Sequence, residues 1–266
     1  MEDPYRICNS VKRHWTFTGL LFLAASSSYA EQEFNSDRPG VADGSEAVGE
    51  RRVQIETGFQ REWRKAGDDP RRETFFPTLI RVGLAEDWEA RLESDVYSWM
   101  RQPDGASAEA WAPFSVGFKY HFLEAQGARP SLGVIGRLAP PSGSKSLRTR
   151  HTVGDVRLAA DWDLTEKWSL NPNVGFGTDE DEEGHRFSTR LFATTLAYRP
   201  VRRVELSIDV SAQRPEAQAG RTALLYTASA AYLLRRDLQV DLTLGTRGAG
   251  DSPPRRLLAA GFSWRF

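Results

Sequence analysis

The sequence predicts an all-β fold: a transmembrane, antiparallel up-and-down β-barrel of about twelve strands. Three observations carry this. Apolar residues recur at every second position through most of the chain beyond residue 50, the links between these runs alternate short and long, and the N-terminus reads as an export signal. Period two marks strands with one apolar and one polar face. No run reaches the roughly 20 apolar residues of a spanning helix, so a helical membrane protein is excluded. A mean hydropathy of −0.50 still suits a barrel, because half of its strand residues face a polar interior.

Lys12 and Arg13 precede an apolar stretch from Trp15 to Ala25, and Ser26-Ser27-Ser28-Tyr29-Ala30 follows. That order describes a secretory signal over residues 1–30, with cleavage expected after Ala30. Cys8, the only cysteine, falls inside it, so disulfides, Cys-ligated metals and a Cys nucleophile drop out together. Removing residues 1–30 moves the formal charge only from −1 to −2, which gives no support for nucleic-acid binding. Residues 31–50 are rich in Asp, Glu, Gly and Ser without strand alternation, and read either as a periplasmic tail or as a plug in the lumen. Residues 51–266 form the barrel, with no second domain.

The strands follow in order. Val53, Ile55, Thr57 and Phe59 alternate with polar neighbours, and the polar Ala66–Arg72 stretch leads to Phe76, Thr78, Ile80, Val82 and Leu84. Glu86-Asp87 turns into Trp88, Ala90, Leu92, Ser94, Val96, Ser98 and Met100. The Gln102–Ala110 connection precedes Phe114, Val116, Phe118, Tyr120 and Phe122. Leu132–Leu138 comes next, then a Pro/Gly/Ser-rich loop, then Val156–Trp162 and Trp168–Phe176 on either side of a tight turn. After the acidic Asp179–Glu183 loop come strands near Phe187–Tyr198, Val204–Val210, Thr222–Leu234 and Leu238–Leu244. The first and third of these strands, Phe187–Tyr198 and Thr222–Leu234, have no clear phase. Leu258, Ala260, Phe262, Trp264 and Phe266 close the chain.

The polar phase is heavily charged. Glu56, Arg81, Glu89, Arg91, Glu93, Asp95, Lys119, Arg137, Arg157, Asp161, Glu205, Asp209 and Asp241 are therefore the candidate lumen-lining residues, with Glu62 in the same phase. They allow two readings: a transverse field that orients a solute, or ion pairs that fill and stiffen a narrow bore, since buried charges must be paired. Trp63, Trp88, Trp99, Trp162, Trp168, Tyr198, Tyr232 and Trp264 fall at strand ends, where aromatic girdles would meet the two membrane interfaces. A soluble β-sandwich with the polar phase in water has the same periodicity. The export signal and the repeated aromatic ends favour the membrane.

Two resemblances extend this reading. The final strand resembles the closing strand of bacterial outer-membrane barrels, whose terminal Phe belongs to the signal read by the insertion machinery; this implies such a partner for Phe266. Asp37-Arg38-Pro39-Gly40, then Gly49 and Val53-Gln54-Ile55-Glu56-Thr57-Gly58, resembles the opening of the outer-membrane "transporter" family named for the MetA pathway of phenol degradation. Pro77–Leu84 and Asp161–Leu170 are similar to that family as well. The resemblance implies an outer-membrane barrel passing hydrophobic or aromatic compounds, with outer-membrane lipid and lipopolysaccharide around it, and no cofactor or catalytic residues to carry over. Asp37, Arg38 and Pro39 are its N-terminal motif, and Arg38 is expected to pair with a lumenal carboxylate.

Other chemistries are weaker. His121, His151 and His185 have no metal-ligand spacing among themselves. The Asp179–Glu183 loop is a candidate for cation binding, but it reads first as a solvated charged loop. A lipid hydrolase needs a hydroxyl held by His, and no such arrangement is visible. The expected function is passive or facilitated uptake of a small solute, with a non-conducting structural or adhesion barrel as the alternative.

Overall fold

The computed structural model describes residues 34–66, 69–101, 105–181, 183–213, 222–248 and 254–266. The export signal and its cleavage site lie outside the described residues. Fifteen strand segments appear in chain order: β1 (Val53–Ala66), β2 (Asp69–Phe75), β3 (Thr78–Ala85), β4 (Trp88–Ser94), β5 (Tyr97–Arg101), β6 (Ser107–Trp111), β7 (Phe114–Leu123) and β8 (Ser131–Ala139), then β9 (Val153–Asp163), β10 (Trp168–Glu180), β11 (Arg186–Val201), β12 (Val204–Gln213), β13 (Ala223–Arg235), β14 (Leu238–Arg247) and β15 (Arg256–Arg265). Every pairing is antiparallel, and β15 returns to β1 through Gln54↔Arg265 to Trp63↔Arg256. The sheet is thus closed, with no unpaired edge to expose to lipid.

The fifteen segments make twelve barrel strands, as the alternation predicts. β2 and β3 lie opposite the single strand β1 in one register, Gln60↔Phe75 and Thr57↔Thr78, and are parted only at Phe76-Pro77. β4 with β5, and β6 with β7, are likewise single strands interrupted at Asp95-Val96 and Ala112-Pro113. Proline offers no N–H to a ladder, so two of the three interruptions are written in the sequence. The third is a bulge: one extra residue separates Thr78↔Ser94 from Phe75↔Ser98, and Val96 adopts φ 58°.

The bulge corrects one expected phase. Strict alternation puts Ser98 and Met100 with the outward Trp88–Ser94 set. Past the extra residue the faces exchange, so that Ser98 is buried inside and Trp99 is exposed outside. Two expected loops are also shorter, since β1 runs to Ala66 with β2 starting at Asp69, and β6 begins at Ser107 within the Gln102–Ala110 connection.

Elsewhere the apolar phase faces out. Leu84, Val116, Val156, Phe176, Ile208, Leu242 and Leu244 are exposed, Phe176 by 74%, on strands whose alternate residues are buried. A soluble protein rarely leaves so much contiguous apolar surface to water, whereas lipid requires it. At the end carrying the short turns and Phe266, aromatic pairs form a belt: Trp88–Tyr120 stacked at 4.3 Å, Trp168–Tyr198 at 4.6 Å and Trp264–Phe266 at 4.2 Å. The closing strand behaves as its pattern says, with Leu258, Ala260, Phe262 and Trp264 out and Ser263 and Arg265 in. The two strands without clear phase resolve as well. Thr189, Ala193, Thr195 and Ala197 of β11, and Leu225, Thr227, Ser229 and Ala231 of β13, are buried. Small Ala, Ser and Thr on both faces had hidden the alternation.

Candidate functional site

The lumen is occupied by the chain itself. Residues 34–48 run inside the barrel, where Ala42, Asp43, Ser45, Ala47 and Val48 are buried, and wall side chains bond much of the segment's backbone. The Gln54 amide donates to the Asn35 carbonyl at 2.8 Å, and the Arg38 N–H donates to Glu56 at 2.9 Å. The Asp43 N–H donates to Asn173 Oδ1 at 2.9 Å, and Asn173 returns a bond to the Asp43 carbonyl. The Ser45 N–H and hydroxyl both donate to Asp161, at 2.6 and 2.7 Å, and the Val48 N–H donates to Glu89 at 2.9 Å. A segment without strand pairing needs such partners, because buried backbone groups left unbonded are costly.

Charge completes the fit. One cation comes from each of five neighbouring strands: Arg81 (β3), Arg91 (β4), Lys119 (β7), Arg137 (β8) and Arg157 (β9). Arg81 is fully buried, and its guanidinium donates to both oxygens of Glu89, to Glu56 and to the Asn35 and Glu46 carbonyls. Glu93 pairs with Arg91 and Arg137, and Asp155 with Arg137 and Arg157. Asp37 of the segment meets Arg91 at 2.7 Å and Lys119 at 3.2 Å, and Asp43 meets Arg91 and Arg157, each at 2.9 Å. Across the bore, Arg38 reaches Asp241 through two bonds of 2.8 and 3.1 Å. Its carbonyl accepts from Gln239 at 3.0 Å, and Pro39 follows it into the run toward Asp209.

The opposite wall, β11 to β14, is largely uncharged. Thr195, Ser207, Ser211, Thr227, Ser229 and Thr243 are buried there, and Asp209 is held by the Thr195 and Thr227 hydroxyls. Near the loop end, opposite the short turns, Leu225, Leu257 and Ala259 form a small inward apolar cluster, and Phe75, Val153 and Phe187 are buried inward on other strands.

A sequence family described as "Putative MetA-pathway of phenol degradation" matches residues 36–266. The chain belongs to that family. The match begins at Ser36, so it includes the inward segment. Among solved structures, an outer membrane channel from Pseudomonas putida F1 aligns with a TM-score of 0.66 and 13% identity over 84% of this chain and 98% of its own. The β domain of the Bordetella autotransporter BrkA gives 0.55 and 12% over 82% and 100%. The KdgM porin in complex with disordered oligogalacturonate gives 0.53 and 11% over 80% and 99%. At such identities the likeness is one of fold, the outer-membrane barrel. No curated protein matches the sequence.

This family member gathers most of the residues expected to line the lumen. Glu56, Arg81, Glu89, Arg91, Glu93, Lys119, Arg137, Arg157 and Asp161 meet around the segment, and Asp209 and Asp241 face it from the other side. Two do not join. Asp95 is exposed in the break between β4 and β5, and Glu205 pairs with Arg199 at the turn-end rim, 2.8 Å away. Asp43, Ser45, Asp155, Asn171 and Asn173 were missed. The first two sit in a segment without periodicity, and the others show only as polar members of strand phases.

Gly133 was missed too, and its reason is steric. A Cβ built there would collide with the backbone of Ser45, so the β8 wall must be bare for the segment to approach. Gly133→Val is expected to push the segment away and leave the β8–β9 ladder intact. Overpacking of this kind costs about 1–3 kcal/mol. Hydrogen exchange at the Ser45 and Val48 amides should then accelerate roughly tenfold or more, with β8 and β9 amides unchanged. Equal acceleration in the wall would mean that the sheet itself had been damaged.

In the outer loops, Asp181, Glu183 and His185 bring ligand atoms within 4.8 Å of one another around Gly184, whose φ is 92°. Partial desolvation pushes the Glu180 carboxyl up, but the Arg150 and His151 backbone N–H groups and the His151 ring outweigh it and hold the group below its ordinary range. Among the described residues, no Ser or Thr hydroxyl is bonded to a histidine ring.

Proposed function

We propose that this protein is a channel for small hydrophobic or aromatic solutes across the outer membrane, and that residues 34–48 are its plug. In this reading residues 1–30 direct export and are removed after Ala30, and Phe266 presents the closing strand to the insertion machinery. The observation that carries the proposal is the separate origin of what fills the bore. The wall leaves room for a whole polypeptide segment, bonded to it by hydrogen bonds and ion pairs, and a bore that accepts a peptide with its side chains accepts an aromatic ring once the peptide withdraws. The inward apolar residues near the loop end, Leu225, Leu257 and Phe187 among them, suit an apolar solute. The channel and porin among the similar structures agree with the role.

The completeness of the ion-pair network favours a second reading, a closed structural barrel. Deleting residues 31–44 separates them. In planar bilayers the deletion is expected to raise single-channel conductance well above that of the intact protein. Unchanged current in a conducting protein would remove the plug role, and a silent deletion variant would favour the structural barrel.

A further inference from the structure

Resting on the channel reading, we propose that Asp37 and Asp43 occupy the sites of a solute carboxylate, so that the solute class is small carboxylates with an apolar body, aromatic carboxylates above all. The wall acids already have wall partners. Glu56 and Glu89 pair with Arg81, Glu93 with Arg91 and Arg137, and Asp155 with Arg137 and Arg157. What the segment adds is a carboxylate at each of two cationic positions.

The first position is defined by Asp37. Arg91 Nη1 lies 2.7 Å away, Lys119 Nζ 3.2 Å, Arg81 Nη1 3.7 Å, and the Gly44 N–H of the segment 2.8 Å. The second is defined by Asp43, with Arg91 Nη2 and Arg157 Nη1 at 2.9 Å and Arg137 Nη2 at 3.6 Å. Arg91 serves both through its two terminal nitrogens, a planar fork suited to carboxylates. Lys119 is the telling residue. It is fully buried, and its next carboxylate after Asp37 is Glu89 at 3.9 Å, so withdrawal of the segment strips it of its nearest anion. With only the longer contact to Glu89 left, which Arg81 and Arg91 also share, the ammonium is under-neutralised, and the vacated position favours a new anion.

The rest of the bore fits the rest of such a molecule. The facing wall is mostly hydroxyl and small residues, and Asp241, once Arg38 leaves, repels an anion from that side. The carboxylate is thereby directed to the β3–β9 wall, and an apolar body finds Leu225 and Leu257 toward the loop end. The segment and the solute then compete for the same cations, and arrival of the solute releases the plug.

Benzoate and its uncharged analogue benzamide test this on the detergent-purified full-length protein. Hydrogen exchange at the Ser45 and Val48 amides reports plug release without requiring conduction. Benzoate is expected to accelerate that exchange and benzamide to leave it unchanged. In the variant lacking residues 31–44, where Asp37 no longer competes, Lys119→Gln should weaken benzoate binding by about tenfold or more, the weight of one lost charge-assisted hydrogen bond, and Lys119→Arg should restore it. The temperature at which each variant loses its folded electrophoretic mobility checks that the barrel persists. Equal action of benzamide, no action by either, or indifference to Lys119→Gln overturns the inference. Benzoate-driven release in a protein that never conducts would instead retain the carboxylate site and defeat the channel reading.

Discussion

Arg81→Met is expected to destabilise the barrel by about 3–5 kcal/mol, the usual cost of removing one member of a buried ion-pair set. The reason lies in what remains. Glu56 and Glu89 are buried beside Arg81, and their charges were balanced by its guanidinium at 2.9 to 3.1 Å. Met fills the space but supplies no donor, and the Asn35 and Glu46 carbonyls each lose one of two donors, keeping Gln54 and Lys119. Urea unfolding in phospholipid vesicles reads the effect. Because Arg81 holds wall and segment together, the Val48 amide should also lose exchange protection before the strands do. A loss below about 1 kcal/mol would show that Lys119 and Arg91 neutralise the two glutamates without it.

A second large effect is expected on the other face of the wall. Leu242 and Thr243 are neighbours on β14, the first exposed outward and the second buried inward. Leu242→Arg should cost about 2–4 kcal/mol if the residue lies near the middle of the bilayer, since lipid offers the charge no partner. Thr243→Ser, on the lumen side, should stay within about 1 kcal/mol because its hydroxyl bond to Ser229 survives. The ordering of the two variants in urea midpoint, and in the fraction that inserts folded, is the readout. A harmless Leu242→Arg would place the outward phase in water.

Most of the wall was legible because alternation is a local signal: each strand such as Val116, Phe118, Tyr120 and Phe122 states its own faces. The Val96 bulge was not, since a backbone residue with φ 58° leaves no mark on periodicity and yet exchanges the faces of Ser98 and Trp99 beyond it. The phases of β11 and β13 were blurred by residues small enough for either side. The site was half legible. Charged residues in the polar phase named the wall, and Arg38 indeed finds a lumenal carboxylate in Asp241, 203 positions away. The partners Asp43 and Ser45 were not visible, because their segment has no repeat and its path is set by contacts with ten different strands. Gly133 was hidden for the opposite reason, being a residue whose role is to leave space.

The segment also has a mechanical meaning. A closed sheet one strand thick resists flattening poorly, because bending between neighbouring strands breaks few bonds. Here the segment is a hub, with spokes to β1, β3, β4, β7, β8 and β9 on one side and through Arg38 and Val41 to β14 and β12 on the other. These spokes tie opposite sides of the wall to one another through the segment. Withdrawal of the hub, as the channel proposal requires, would also remove this bracing, so an open shape would be the softer one.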